Sequence, residues 1–224
     1  MRTRKIIVLG IAGLLFMFCA MAEQNVPNDA GKAATQGLKA FLDKIPKEFL
    51  GQFGFDNDDA LESASLGSPF LVHTLTPSAL ASYQPGIAVT SLMTPTTMVY
   101  FPIIIAGRAK AILVVDRLDN QWQAVSLGYP GLARELDAVH HQWNERQGYH
   151  PILITVFQAQ QHLFTVPEKG SENLTPLTPA KYTASTDQQQ AIKSMNRYAT
   201  LENASDVIPS LKPLVADNIR NSKP

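Results

Sequence analysis

The spacing of hydrophobic residues along this chain switches between the period of a helix and the period of a strand. Helical spacing and capping residues predict helices at 31–44, 58–64, 77–83, 128–148 and 187–201. Alternating or continuous apolar runs predict strands at 70–75, 87–93, 99–105, 110–116, 122–127, 151–158 and 162–166. This order of elements predicts an α+β fold, in which an antiparallel sheet carries helices on one face and has short helices near both chain ends.

The residues 128–148 give the clearest helical pattern of the chain. A proline stands near the first turn, and Gly148 stands where a helix would stop. We expect this long amphipathic helix to pack across the sheet. Its apolar face is formed by Leu132, Leu136, Val139 and Trp143.

The three strands at 99–105, 110–116 and 122–127 are separated by short turn sequences, which predicts a three-strand antiparallel meander. Pro102 lies inside the first of these strands. Because proline cannot donate a backbone hydrogen bond, we expect an edge position or a bulge at that point.

The composition becomes polar after Pro167, and the segment 207–224 is weakly apolar and interrupted by prolines. We expect part of that last segment to be disordered. The predicted organisation is a leader at 1–22, a globular α+β domain at 23–166, a Pro- and Thr-rich linker at 167–186, and a C-terminal helix and tail at 187–224.

The residues 1–22 have the pattern of a secretory signal peptide, with basic residues first, then an apolar run, then an A-x-A motif ending at Ala22. The apolar run is about 13 residues long, whereas a transmembrane helix needs roughly 20, so we expect cleavage rather than an integral membrane protein. The bulky residues before Cys19 disfavour a lipid anchor there. Because Cys19 is the one cysteine of the chain, cleavage would leave the mature protein without a disulfide.

We therefore expect export to the periplasm or the extracellular space, and a bacterial periplasm fits best. The chain has 19 basic and 19 acidic residues, and loss of Arg2, Arg4 and Lys5 would make the mature protein slightly acidic. No basic run interleaved with aromatic residues follows the leader, so nucleic acid is not an expected partner. The sequence has no glycine-rich phosphate loop and no dinucleotide fingerprint, and we expect no cofactor.

One pair of residues has the spacing of metal ligands. Asp137 and His141 are four residues apart in the predicted helix and share one of its faces, with His140 and Glu145 close by. A metal site needs three or four ligands, however, and the same pair is also typical of a solvated helix face. The sequence leaves both interpretations open.

Three aromatic residues accumulate near the predicted sheet and form the candidate ligand-binding set: Tyr100, Trp122 and Tyr129. The alternative is that each of them is an ordinary core or cross-strand residue.

Three functions are compatible with these observations. The first is an exported, non-catalytic binding domain for an unknown protein or small ligand. The second is an exported hydrolase or metal-dependent enzyme that uses the histidines His140 and His141. It requires His73, His150 or His162 to lie within a few ångströms of His141 together with a carboxylate. The third is an inhibitor-like or chaperone-like partner of an exported enzyme. The absence of a catalytic motif favours the first.

Overall fold

The computed structural model of the protein describes residues 26–56, 60–177 and 198–221. Within these residues the chain has the predicted α+β class, built on one largely antiparallel sheet of eight strands. The helices are α1 (Asn28–Leu42), α2 (Pro77–Ser82), α3 (Pro130–Gln142) and α4 (Ala204–Asn221). The strands are β1 (Ser65–Leu66), β2 (Phe70–Leu75), β3 (Met93–Ile105), β4 (Arg108–Leu118), β5 (Gln121–Gly128), β6 (Ile152–Val156), β7 (Gln161–Thr165) and β8 (Thr175–Leu177).

The strands lie in the order β5-β4-β3-β2-β6-β7-β8, and β1 pairs with β3 beside the start of β2. Each neighbouring pair is antiparallel except β2 and β6, which run parallel and are paired at His73 and Ile154. The chain between these two strands contains β3, β4, β5 and α3. This long connection is what a parallel pair requires.

Helices cover both faces of the sheet, whereas the sequence predicts helices on one face. On one face, α3 packs against residues that include Val72, Tyr100 and Val114. On the other face, α1 packs over β4 and β5, while α2 and α4 pack over β6 and β7. Both faces of β4 are therefore buried, because Val114 and Val115 point to opposite clusters.

The predictions for β2 and α2 are accurate because their signals are local. The strand has its predicted bounds, Phe70–Leu75. The helix that follows starts at Pro77, and the hydroxyl of Thr76 accepts a hydrogen bond from the amide of Ala79 at 3.1 Å. A threonine cap followed by proline at the first helical position therefore fixes this boundary.

The sequence predicts an edge position or a bulge at Pro102. The edge position is wrong, because β3 lies inside the sheet, but the β3–β4 register does shift close by. The carbonyl oxygen of Pro102 accepts a hydrogen bond from the amide of Gly67 at 2.7 Å. In an antiparallel ladder the nitrogen and oxygen of one residue face the same neighbour, so the missing N–H of Pro102 faces the β1–β2 connection. The pairing of Pro102 with Ile112 on β4 is kept, and a register shift follows one residue later, between Ile103 and Ile104.

The predicted strand at 87–93 is also wrong. Val89–Ser91 forms a 3₁₀ turn, and Met93 already begins β3. Val89 and Leu92 pack in the same cluster three residues apart, which is the period of a 3₁₀ helix. The strand then continues through Pro95, where it is paired with β2 and has not yet met β4, so a proline is tolerated.

Two predicted helices are shorter than expected. In the segment 58–64 the described part forms a 3₁₀ turn at Leu61–Ser63. In the segment 128–148 the α-helix ends before Trp143, and Asn144 begins a 3₁₀ turn because its side chain accepts from the amide of Gln147 at 3.2 Å. Gly148, with φ of 79°, closes that turn rather than the long helix.

The end of the chain is more ordered than expected. Residues 207–221 belong to α4, which contains Pro209 and Pro213. Its buried residues recur at helical spacing and pack on the sheet, which outweighs the two lost backbone bonds. They are Ala204, Val207, Ile208, Leu211 and Val215.

In the predicted linker, the described residues 167–177 include β8, which extends the sheet. The predicted leader at 1–22, the rest of the linker and nearly all of the predicted helix at 187–201 lie outside the described residues. No helix in the part of the chain that the structure describes has the length and apolar character to cross a membrane.

Candidate functional site

The two predicted metal ligands, Asp137 and His141, lie close together, but among the described residues no third ligand joins them. In α3, Nε2 of His141 lies 3.8 Å from Oδ1 of Asp137. Burial raises the pKa of Asp137, although the charge of His141 and a hydrogen bond from the backbone of Ala109 act in the opposite direction. Across the described ranges, three or more metal-ligating side chains nowhere come together. The geometry is that of a helix-face pair.

The remaining histidines have other partners. Nδ1 of His73 lies 3.3 Å from the carbonyl oxygen of Leu71 within β2, and Nδ1 of His150 lies 2.8 Å from the carboxylate of Glu168. His162 is hydrogen-bonded to Thr155. The enzyme hypothesis requires one of these histidines and a carboxylate to lie close to His141, and among the described residues no such group is formed.

The predicted ligand residues Tyr100, Trp122 and Tyr129 do not form one surface. Tyr100 packs in the cluster under α3, and Trp122 packs on the opposite face of the sheet, under α1. Tyr100 is only 4% exposed, whereas Tyr129 is 52% exposed. Sequence reasoning brings them together because they are close along the chain, but the alternation of side chains along strands separates Tyr100 from Trp122.

Tyr100 belongs instead to a buried polar cluster with Thr155 and His162. The rings of Tyr100 and His162 lie 6.4 Å apart and edge to face, and Nδ1 of His162 lies 3.0 Å from the hydroxyl of Thr155. Burial, mainly, raises the pKa of Tyr100 to about 12, and burial lowers the pKa of His162. Both groups are therefore held in their neutral forms, which suits a packed core.

A concave site lies at the other end of β7. A groove of about 420 Å³ opens between the loop after β7 and the segment before α4. That volume is in the range of small-molecule sites. The groove is lined by Lys169, Gly170, Ser171, Glu172, Asn173, Leu201, Glu202 and Asn203.

One buried side chain, Asn173, holds the loop of the groove in shape. Its Oδ1 accepts hydrogen bonds from the amide of Val166 at 2.7 Å and from the hydroxyl of Thr165 at 3.1 Å. Its Nδ2 donates to the carbonyls of Val166, at 2.8 Å, and of Gly170. Asn173 is 8% exposed and uses both ends of its amide, so it ties the loop to the end of β7.

Backbone pairing fixes the two sides of the groove to each other. The amide of Leu174 donates to the carbonyl of Glu202 at 2.9 Å, and the amide of Ala204 donates to the carbonyl of Glu172 at 2.8 Å. A third element, the 3₁₀ turn at Val89–Ser91, is attached where the amide of Val89 donates to the carbonyl of Ser171 at 2.7 Å. The groove is thus built by three segments that are distant in sequence.

The charged lining of the groove is negative on balance. Glu172 and Glu202 face one cation, Lys169. Glu172 accepts a hydrogen bond from the amide of Gly86 at 3.1 Å, which holds its carboxylate in place. A groove with this lining attracts cations.

Two aromatic rings stand beside the groove. Trp143 and Tyr149 lie edge to face, with ring centroids 5.1 Å apart and planes at 89°. The ammonium of Lys169 lies 5.2 Å from the Trp143 ring and 4.7 Å from the Tyr149 ring. Both distances are within the range of cation–π attraction.

The rings are positioned by the turn that ends α3. The indole N–H of Trp143 donates to the carbonyl of Tyr198 at 2.9 Å. The backbone amide of Tyr149 donates to the carbonyl of Asn144 at 3.3 Å, and Gly148 takes a left-handed conformation that returns the chain towards Trp143. A residue at Gly148 with a side chain would strain this return.

Sequence reasoning does not find this groove. It assigns Trp143 to the apolar face of a helix and Lys169 to a linker, and no spacing links the two. The signal that joins them is the pairing of β6 with β7, which sets Ile152 opposite Thr165 and so brings the flanking segments together.

The chain was compared with models of protein families, with the curated proteins and with the solved structures, and no match was found in any of the three.

Proposed function

We propose that this protein is an exported, non-catalytic binding domain and that the groove at 169–173 and 201–203 receives a small ligand. The observation that carries the proposal is the groove itself, which has the volume of a ligand site and a charged, hydrogen-bonded lining. The signal-peptide pattern of residues 1–22 supports export.

The rigidity of the groove supports the same function. Its loop is tied to β7 by Asn173, and its two sides are joined by backbone hydrogen bonds. A site that is already ordered loses little conformational entropy when a ligand binds. The construction therefore favours recognition without a large rearrangement.

The test is an NMR titration of the protein with three kinds of small probe, namely choline, acetate and the neutral alcohol 3,3-dimethylbutan-1-ol. We expect at least one probe to shift the backbone amide signals of Gly170, Ser171 and Asn203. Shifts that occur elsewhere, or no shifts with any probe, would contradict the proposed function.

A matched pair of variants makes the titration specific. Ser171→Trp places a large ring in the groove and leaves the backbone bond of Ser171 to Val89 in place, so it should abolish the shifts. Ser68→Trp adds the same ring to the exposed connection between β1 and β2 and should leave the shifts unchanged.

A further inference from the structure

The position of Lys169 is the starting observation. Its side chain lines the groove, and its ammonium lies over both Trp143 and Tyr149. Among the described residues this ammonium makes no ion pair, although Glu172 and Glu202 line the same groove. The aromatic rings, rather than a carboxylate, hold its charge.

The two rings form part of a cage for a cation. Their planes are perpendicular and the two rings touch, so one ammonium beside the pair lies close to both π-systems at once, as that of Lys169 does. Pairs of rings of this kind recognise quaternary ammonium groups in ligands. The indole of Trp143 is held by its hydrogen bond to Tyr198, and the Tyr149 ring packs edge to face with that indole, so neither contact depends on Lys169.

The side chain of Lys169 is more exposed than either ring, although its backbone belongs to the ordered loop. Lys169 ends a 3₁₀ turn, Pro167–Lys169, and its side chain is exposed. The next residue, Gly170, has φ of 124°, a backbone conformation that glycine adopts without strain. The side chain of Lys169 can therefore leave the rings by rotating about its own bonds, without a change in the buried loop.

We propose that Lys169 is an internal occupant of a cation site and that the natural ligand of the groove carries an alkylammonium group, which replaces Lys169 over Trp143 and Tyr149. Glu172 and Glu202 supply the attraction that draws the cation into the groove. This inference rests on the proposed function and specifies the class of ligand.

The experiment measures the affinity for choline through the fluorescence of Trp143. The chain has two tryptophans, so a Trp122→Phe background leaves Trp143 as the reporter. We expect choline to change the emission and 3,3-dimethylbutan-1-ol, which has the same shape without the charge, to leave it unchanged.

The decisive variant is Lys169→Met, which removes the charge and keeps an apolar side chain. Because the ligand would no longer compete with an internal ammonium, choline affinity should rise by about fivefold. Lys47→Met, at an exposed lysine outside the groove, should leave the affinity unchanged. Tyr149→Leu, which removes one ring, should lower it.

Two results would overturn the inference. One is choline binding that is no tighter in Lys169→Met than in Lys47→Met, with Lys169→Gln as a second variant if the first folds poorly. The other is binding of the neutral alcohol as tight as that of choline. If either result occurs while acetate or the alcohol shifts the groove amides, the cation site is wrong and the proposed function stands. If no probe shifts those amides, both are wrong.

Discussion

The groove and the Asp137–His141 pair both present charged side chains, but they differ in how many segments build them. The pair lies on one helix, and its members are neighbours because they are four residues apart. The groove lies between the loop after β7 and the segment before α4, and Lys169 of its lining reaches the rings of Trp143 and Tyr149. It is therefore the region where tertiary structure, rather than local spacing, places the chemistry.

This difference separates a surface feature from a candidate binding site. The imidazole of the pair is exposed and its carboxylate is half-buried, and a contact of 3.8 Å between two such groups is weak and adaptable. In the groove, buried hydrogen bonds hold the backbone, and the charged groups project from that fixed frame. Only the second arrangement selects a ligand by shape as well as charge.

The strongest test of the comparison is Asn173→Ala. The change removes four hydrogen bonds and takes away the acceptor that the buried amide of Val166 and the buried hydroxyl of Thr165 share, so we expect the free energy of unfolding to fall by about 2–4 kcal/mol. Urea denaturation measures this loss. The groove amides should also show faster hydrogen exchange.

The matched control is Asn144→Ala, because Asn144 also bonds to the backbone but at a more exposed turn. Its side chain accepts one hydrogen bond, from the amide of Gln147, and its loss should cost about 1 kcal/mol. Equal losses in the two variants would show that Asn173 does not hold the groove.

The sequence predicts those elements whose signals are local. The alternation at Phe70–Leu75 and the cap at Thr76 are read correctly, since strand period and capping chemistry act over a few residues. The prolines of β3 and α4 mislead it. The N–H that Pro95 and Pro102 lack would not have bonded to β4. The prolines of α4 are tolerated because the helix is stabilised by its packing on the sheet.

The candidate site is not predictable in the same way. Trp143 is a good core residue by its spacing, and it is buried as expected. The second role that we propose for it, as a wall for a cation, depends on Tyr149 and Lys169, which reach it through a turn and through the β6–β7 pairing. Such contacts depend on the register of the strands, which cannot be inferred from a single sequence.

A smaller effect is expected at the start of α3, the helix that carries the pair and is followed directly by Trp143. Tyr129 has φ of 58° and ψ of 48°, a left-handed conformation that is strained for a residue with a side chain. Tyr129→Gly should therefore be more stable than Tyr129→Ala by about 1 kcal/mol, because both lose the ring and only glycine relieves the strain. Thermal unfolding measures the difference, and equal stabilities would show that no strain is stored at this residue.

The smallest effect concerns the pair itself and appears as a dependence on pH. Burial raises the pKa of Asp137 above its ordinary value of 3.8, so the folded state binds the proton more tightly than the unfolded state. The stability that this carboxyl contributes is present below pH 3.8 and is lost as pH rises through the raised pKa. Asp137→Asn should remove that loss, so its free energy of unfolding at neutral pH should be larger than that of the natural protein.

The exposed Asp29 of α1 provides the control of opposite sign. A hydrogen bond and the charge of Lys32 lower the pKa of Asp29, so its stabilisation is present above pH 3.8 and is lost as pH falls. Asp29→Asn should therefore be slightly less stable than the natural protein at neutral pH, with a difference that shrinks in acid. Urea denaturation at a series of pH values measures both slopes. If Asp137→Asn behaved like Asp29→Asn, the attraction of His141 would outweigh the burial of Asp137, and the pair would resemble the groove more closely than its geometry indicates.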